Sequence, residues 1–260
     1  MRTKTTILSA VALAAGLLSA GAQVYSANVV GYYNVKVNAH AYALVANQLT
    51  NTTSGNNINV ILSSGNVSDP AGSANTTLYL WGGSGYNIYQ YFTGADADAF
   101  FANVGSVSGW YDNGGTLAVA SFKQGTGSFI YNPSNGPITN TYVGQVPQGV
   151  YSRTVKTGFD TYSIIPPVST NIESVLTGFP ATSDAGGANN DTLYVYNGGY
   201  NIYQYFTGAD ADAFFALAGS VNGWYDNGGT LASSKQNVGQ GFFLKHFTAP
   251  VTWNYGFTVQ

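Results

Sequence analysis

Four aspartates stand in two identical settings, Asp96-Ala97-Asp98 and Asp210-Ala211-Asp212. An Asp-x-Asp pair can contribute to a calcium site. Calcium takes about six to eight oxygens, however, and the longer acidic ladder with its distal Glu is missing. The other reading is that these carboxylates complement the positive end of a short helix. Paired acids also serve glycoside hydrolysis, one as proton donor and one as base or nucleophile. The single Glu of the chain, Glu173, lies three residues after Thr170 with capping-box spacing, which explains it without catalysis. The two histidines, His40 and His246, occupy non-equivalent places and form no zinc or acyl-transfer pattern. The glycine-rich stretches lack the Gly-Lys-Ser/Thr ending of a phosphate loop. No catalytic residue is assigned, and no cofactor is expected beyond a candidate calcium at Asp96, Asp98, Asp210 and Asp212.

The aromatic residues carry more information. Trp110-Tyr111 and Trp224-Tyr225 each sit beside an Asp-Asn-Gly-Gly turn. With Trp81, Tyr86, Tyr196 and Tyr200 they make eight candidate ligand-binding residues, four in each half of the chain. Flat rings next to amide and carboxylate groups suit sugar binding, because a sugar offers an apolar face for stacking and hydroxyls for hydrogen bonds. The competing reading is that these rings are core, since they bury large areas and suit β structure.

An internal repeat positions all of these residues. Tyr86–Ala118 recurs as Tyr200–Ala232 with three changes, at Asn103, Val104 and Ser108. Weaker matches align Tyr42–Val45 with Tyr162–Ile165, Ile58–Leu62 with Ile172–Leu176, and Gly125–Phe129 with Gly239–Phe243. The join falls near Val146–Gly149. Thr77–Trp81 and Tyr86–Phe92 read as a hairpin across Gly82–Gly85, and the second copy closes at Asn197–Gly199. That loop puts Trp81 opposite Tyr86 and Tyr79 opposite Ile88. One sheet face then carries Tyr79, Trp81, Tyr86 and Ile88, and the other Leu78, Leu80, Tyr89 and Tyr91. Neither face is polar, so both are expected to meet something. Thr93 caps a short helix through Phe101.

Residues 1–22 read as a signal peptide. Arg2 and Lys4 precede an apolar run from Ile7 to Leu18, followed by the small-residue site Ala20-Gly21-Ala22. The run is too short for a membrane span, which needs roughly 20 apolar residues. The mature chain keeps 6 of the 8 basic residues against 11 acids, a net charge of −5, which argues against a nucleic-acid partner. Charged residues are only 7%, so Asn, Ser, Thr, Gly and Tyr must build the surface, and such a surface associates readily. Hydrophobic content of 45% excludes disorder. Cysteine is absent, so no disulfide supports the fold.

At Tyr42–Leu49, Tyr79–Trp81, Gly109-Trp110 and Gly125–Pro133, with their partners in the second copy, the chain resembles a group of secreted bacterial repeat modules. These combine an aromatic-x-Leu-Ile-x-x-Pro strand, a Trp/Tyr hairpin, a Gly-Trp step and a Gly-x-Gly-Phe strand. The first copy departs from the pattern at Asn47-Gln48 and Ser128. The resemblance implies a β-rich extracellular module and no known activity.

The expected fold is all-β with minor helices, in two tandem β-sandwich-like modules, residues 23–147 and 148–260. The expected function is that of a secreted or cell-surface structural or adhesion protein without enzyme activity. Carbohydrate binding is the first alternative and a glycosidase-like enzyme the second. Expected partners are cell-envelope or matrix components including polysaccharide, with self-association, no nucleic acid, and no membrane span after signal cleavage.

Overall fold

The computed structural model describes residues 29–257, so the segment expected to be a signal peptide, residues 1–22, lies outside the described residues. The chain is all-β with short helices, as expected. In the first half, β1 (Val30–Val37) pairs with β7 (Ile138–Gln145) as a two-stranded ribbon. Between them, β2 (Ala41–Ala46), β3 (Thr77–Trp81), β4 (Tyr86–Phe92), β5 (Gly109–Tyr111) and β6 (Gly127–Asn132) form an antiparallel sheet in the order β2-β6-β3-β4-β5. Two helices lie in this half, α1 (Ile58–Ile61) and α2 (Gly94–Phe101).

The second half repeats the plan. Its ribbon pairs β8 (Gly149–Val155) with β16 (Val251–Phe257). The five-stranded sheet takes β9 (Gly158–Tyr162), β15 (Phe242–His246), β11 (Thr192–Tyr196), β12 (Tyr200–Phe206) and β13 (Gly223–Tyr225) in that spatial order. A small pair, β10 (Thr170–Asn171) and β14 (Lys235–Gln236), is added, with helices α3 (Ile172–Val175) and α4 (Gly208–Phe215). No helix among the described residues is long and apolar enough to cross a membrane.

Hairpin register follows the sequence pattern. Trp81 faces Tyr86 and Tyr79 faces Ile88, and Tyr196 and Tyr194 face Tyr200 and Ile202. Thr93 and Thr207 cap α2 and α4, their side chains accepting from the amides of Asp96 and Asp210. The register corrects the weaker alignment, however. Leu44 lies opposite Phe129 while Thr161 lies opposite Phe243, so Tyr42 corresponds to Phe159 rather than Tyr162. Similarity in two apolar stretches suggested an alignment that the strand pairing does not follow.

Each half has its own core. Leu78, Leu80 and Ile130 pack with Ile58, Ile61 and Leu62 around α1 and with Val37 and Tyr142 of the ribbon. In the second half Leu193, Val195 and Leu244 pack with Ile172, Val175, Leu176, Val155 and Trp253. Each such aliphatic side chain contributes about 1.5–3 kcal/mol on burial. The sheet faces carrying Leu78 and Leu193 are thereby used, which leaves the opposite faces to account for.

Those opposite faces meet at a seam. The amide of Ala46 donates to Gly239 O at 2.7 Å, and the amide of Ser163 donates to Gly125 O at 2.8 Å. Ala46 follows β2 Val45 as Ser163 follows β9 Tyr162, so the two bonds are one contact made in both directions. The relation is that of an isologous dimer interface within a single chain. Gly127 and Gly241 touch at its centre: a Cβ on Gly241 would fall 2.9 Å from Gly127 Cα. Gln48, fully buried, accepts from Gly239 N at 2.7 Å and donates to Ile164 O at 3.0 Å. Arg153 donates to Gly125 O and Thr161 O and lies 4.3 Å over the Tyr162 ring.

Candidate functional site

The seam brings the outer faces of both sheets together as one aromatic surface. Phe129 and Phe243, equivalent residues on β6 and β15, have ring centroids 6.0 Å apart. Each is covered from the other half. Tyr196 meets Phe129 edge-on at 5.0 Å, and Trp81 meets Phe243 edge-on at 5.8 Å. Edge-to-face geometry at these spacings is the favoured aromatic contact. Tyr86 and Tyr200 each approach the Phe of their own half, at 6.2 and 6.3 Å.

This near-symmetric plan differs in detail between the two sides. On one, Tyr42, Tyr79, Tyr86, Phe129, Tyr196 and Tyr200 enclose an open cleft of about 370 Å³. On the other, the larger indole of Trp81 occupies the place of Tyr196, and its N–H donates to Asp160 Oδ1 at 2.6 Å. Phe159, the counterpart of Tyr42, stacks on Phe243 at 4.7 Å, and Phe243 is left 1% exposed. One side is filled and the other is open.

The open cleft continues into a groove of about 390 Å³ through Tyr42 and Tyr196, which line both. The groove adds Asn34, Asn38, Asn197, Asn237 and Gln240, with Lys36 its one charged side chain. Among the described residues, the side-chain amides of Asn38 and Asn197 make no hydrogen bond, although the main-chain carbonyl of Asn38 accepts from Asn132 Nδ2. Burial, and then the neighbouring phenol of Tyr42, pushes the Tyr79 phenol up to about 12; burial and then Tyr200 push Tyr86 up to about 12. The phenols are therefore neutral, able both to donate and to accept.

The eight aromatic candidates divide. Tyr86 is 38% and Tyr200 49% exposed, and with Trp81 and Tyr196 they belong to the seam surface. Trp110, Tyr111, Trp224 and Tyr225 do not. Trp110 is 0% and Trp224 2% exposed, both on the core face of their sheets. Trp110 stands opposite Tyr91 in β4, and its indole donates to Leu62 O at 3.0 Å. Tyr111 packs with Phe92, Ala97 and Phe101 beneath α2, and Tyr225 packs likewise beneath α4. A sealed ring offers no face to a ligand, so these four are packing residues. Phe129, Tyr42 and Phe159 enter the surface instead, with Phe243 buried beneath the Phe159 ring. The repeated Gly-x-Gly-x-Phe element was the one sequence signal for the two central phenylalanines.

The aspartates have local duties. Asp96 Oδ2 accepts from Thr93 Oγ1 at 2.7 Å and from Ser68 Oγ, at the start of α2. Asp98 turns to the loop beyond the helix and accepts from Gly105 N at 3.0 Å and Ser106 N at 2.9 Å; the Ser106 hydroxyl first, and then these amides, hold its carboxyl below the usual range. Asp210 and Asp212 repeat both arrangements. Residues two apart on a helix point to opposite sides, so each pair diverges rather than converging on one cation. Among the described residues no three His, Asp or Glu side chains gather as metal ligands.

Two further expectations are revised. Asn171, not Thr170, caps α3, accepting from Ser174 N. Glu173 instead accepts from Trp224 N at 2.8 Å, as Asn59 accepts from Trp110 N at 2.6 Å, so both fasten the Gly-Trp step to the core. Burial pushes the Glu173 carboxyl up. His246 is buried against Asp191, with Nδ1 2.9 Å from the carboxylate. That pair stands where Asn132 and Thr76 stand in the first half, and it is sealed from solvent.

No protein-family model, curated protein or solved structure matches this chain.

Proposed function

We propose that this chain is an exported, non-enzymatic adhesion-type protein that holds cell-envelope or matrix material through the aromatic seam. The observation that supports this reading is the open cleft under Tyr196, where tyrosines from both halves stay partly solvated. A contiguous exposed apolar patch is costly to keep and marks an interaction surface. The low charge of the chain lets such a surface approach a solid or polymer without repulsion. Acids near the seam are engaged structurally: Asp160 accepts from the Trp81 indole and from Thr161 N.

The test is co-sedimentation of the mature chain with envelope fractions and insoluble polysaccharide. Tyr86→Ser/Tyr200→Ser is compared with Val104→Ser, which alters an exposed side chain that lines neither the cleft nor the groove. The double variant should lose at least tenfold in retention while the control keeps it. Equal retention of the two variants would refute the proposal.

A further inference from the structure

We infer that the open cleft and its adjoining groove form one composite site, one per chain, for a segment of uncharged glycan. This rests on the seam being a contact surface and names what the surface takes.

Three observations lead there. The first is chemistry. Pyranose rings present flat C–H faces and a belt of hydroxyls, and such a ligand needs aromatic faces beside neutral donors and acceptors. The cleft supplies Tyr42, Tyr86 and Tyr200, and the groove supplies the unengaged amides of Asn38 and Asn197. The second is charge. Lys36 is the one charged side chain lining either space, so a polyanionic chain would bury its carboxylates almost without counter-charge. A neutral polymer has no such cost.

The third observation is the asymmetry of the seam. The near-twofold plan generates two equivalent positions, and each takes residues from both halves. Trp81 and the Phe159–Phe243 stack fill one, while the smaller Tyr196 leaves the other open. Two modules therefore make one site. Each space falls at the lower end of the roughly 300–1,000 Å³ usual for ligand sites, which suits a short run of sugar rings.

The asymmetry also supplies a test that does not depend on deleting a ring. Tyr196→Trp copies the filled side and should close the cleft while preserving the fold, verified by circular dichroism and thermal melting. Affinity electrophoresis at neutral pH would use hydroxyethylcellulose, xyloglucan, dextran and galactomannan as neutral polymers, with polygalacturonate as the anionic one. At least one neutral polymer should retard the wild type more than polygalacturonate does. Tyr196→Trp and Tyr86→Ala/Tyr200→Ala should each weaken that retardation at least tenfold. Calorimetry with an oligosaccharide of the retarding polymer should give one site per chain.

Preference for polygalacturonate, undiminished binding by Tyr196→Trp, or two sites per chain would overturn the inference. Failure of every neutral polymer would overturn it too, as would a dimer in sedimentation that Tyr196→Trp dissociates, since a second copy would then be the occupant. If the wild type still binds envelope fractions through Tyr86 and Tyr200 while every neutral glycan fails, the adhesion reading stands and the ligand class alone is wrong.

Discussion

Replacing His246 by asparagine places in the second half the residue that the first half carries as Asn132, and the cost measures what the buried imidazole gives to the Asp191 carboxylate. Asp191 and His246 are both fully buried. The Asp191 carboxylate accepts from His246 Nδ1, from Phe247 N at 3.0 Å and from Thr182 N at 2.8 Å. Breaking a buried pair from one side costs about 3–5 kcal/mol, because the remaining charge loses its partner. His246→Asn leaves Asp191 two backbone donors, so the loss should be near the lower end, about 3 kcal/mol. Asp191→Thr strands the imidazole and two backbone amides, each unsatisfied donor costing about 1–3 kcal/mol, so it should reach about 5 kcal/mol. The double variant leaves neither the carboxylate nor the imidazole stranded and should be less damaging than the sum by at least about 2 kcal/mol. Denaturant melts of all four proteins, extrapolated linearly, give this coupling directly. A loss below about 1 kcal/mol for His246→Asn, or strict additivity in the double variant, would refute the reasoning.

Three other outcomes follow from the same geometry. Acrylamide should quench Trp81 and leave Trp110, Trp224 and Trp253 shielded, and Trp110→Ala should cost about 3–5 kcal/mol in denaturant melts. Gln48→Leu should destabilise by about 1–3 kcal/mol for each seam group left unpaired, chiefly Gly239 N, and should weaken retention by envelope fractions through loss of seam alignment. In alkali, Tyr79 and Tyr86 ionise near pH 12 when folded against about 10 when unfolded, so the stability they contribute is whole below pH 10 and is lost as pH rises towards 12. Absorbance at 295 nm should show this late-titrating class, and its absence at pH 11 in favour of complete ionisation would contradict the burial of those phenols.

Much of the architecture was legible because it is local. The hairpin register followed from a four-residue loop between alternating strands, since side chains on a strand change face with every residue. The cap at Thr93 followed from a hydroxyl standing before a short helix-forming run. Glu173 was misplaced because capping-box spacing says nothing of a partner 51 residues away, the Trp224 amide. For Trp110 the sequence left a ligand platform and the core both open, for a similar reason. A three-residue strand beside a turn carries too little alternation to say which face its indole takes.

By itself the sequence determined that there are two copies of one β-rich unit, with low charge, no cysteine and more rings than one interior uses, because composition and repetition are properties of the chain alone. Only the tertiary structure decided which rings remain at the surface. That choice depends on Gly127 meeting Gly241 and on β2 and β9 each bonding to the glycine loop of the other half, contacts between residues that are not neighbours in sequence. It depends also on bulk at one place, where indole fills what phenol leaves open, and neither residue reveals its neighbours until the two sheets meet across the seam.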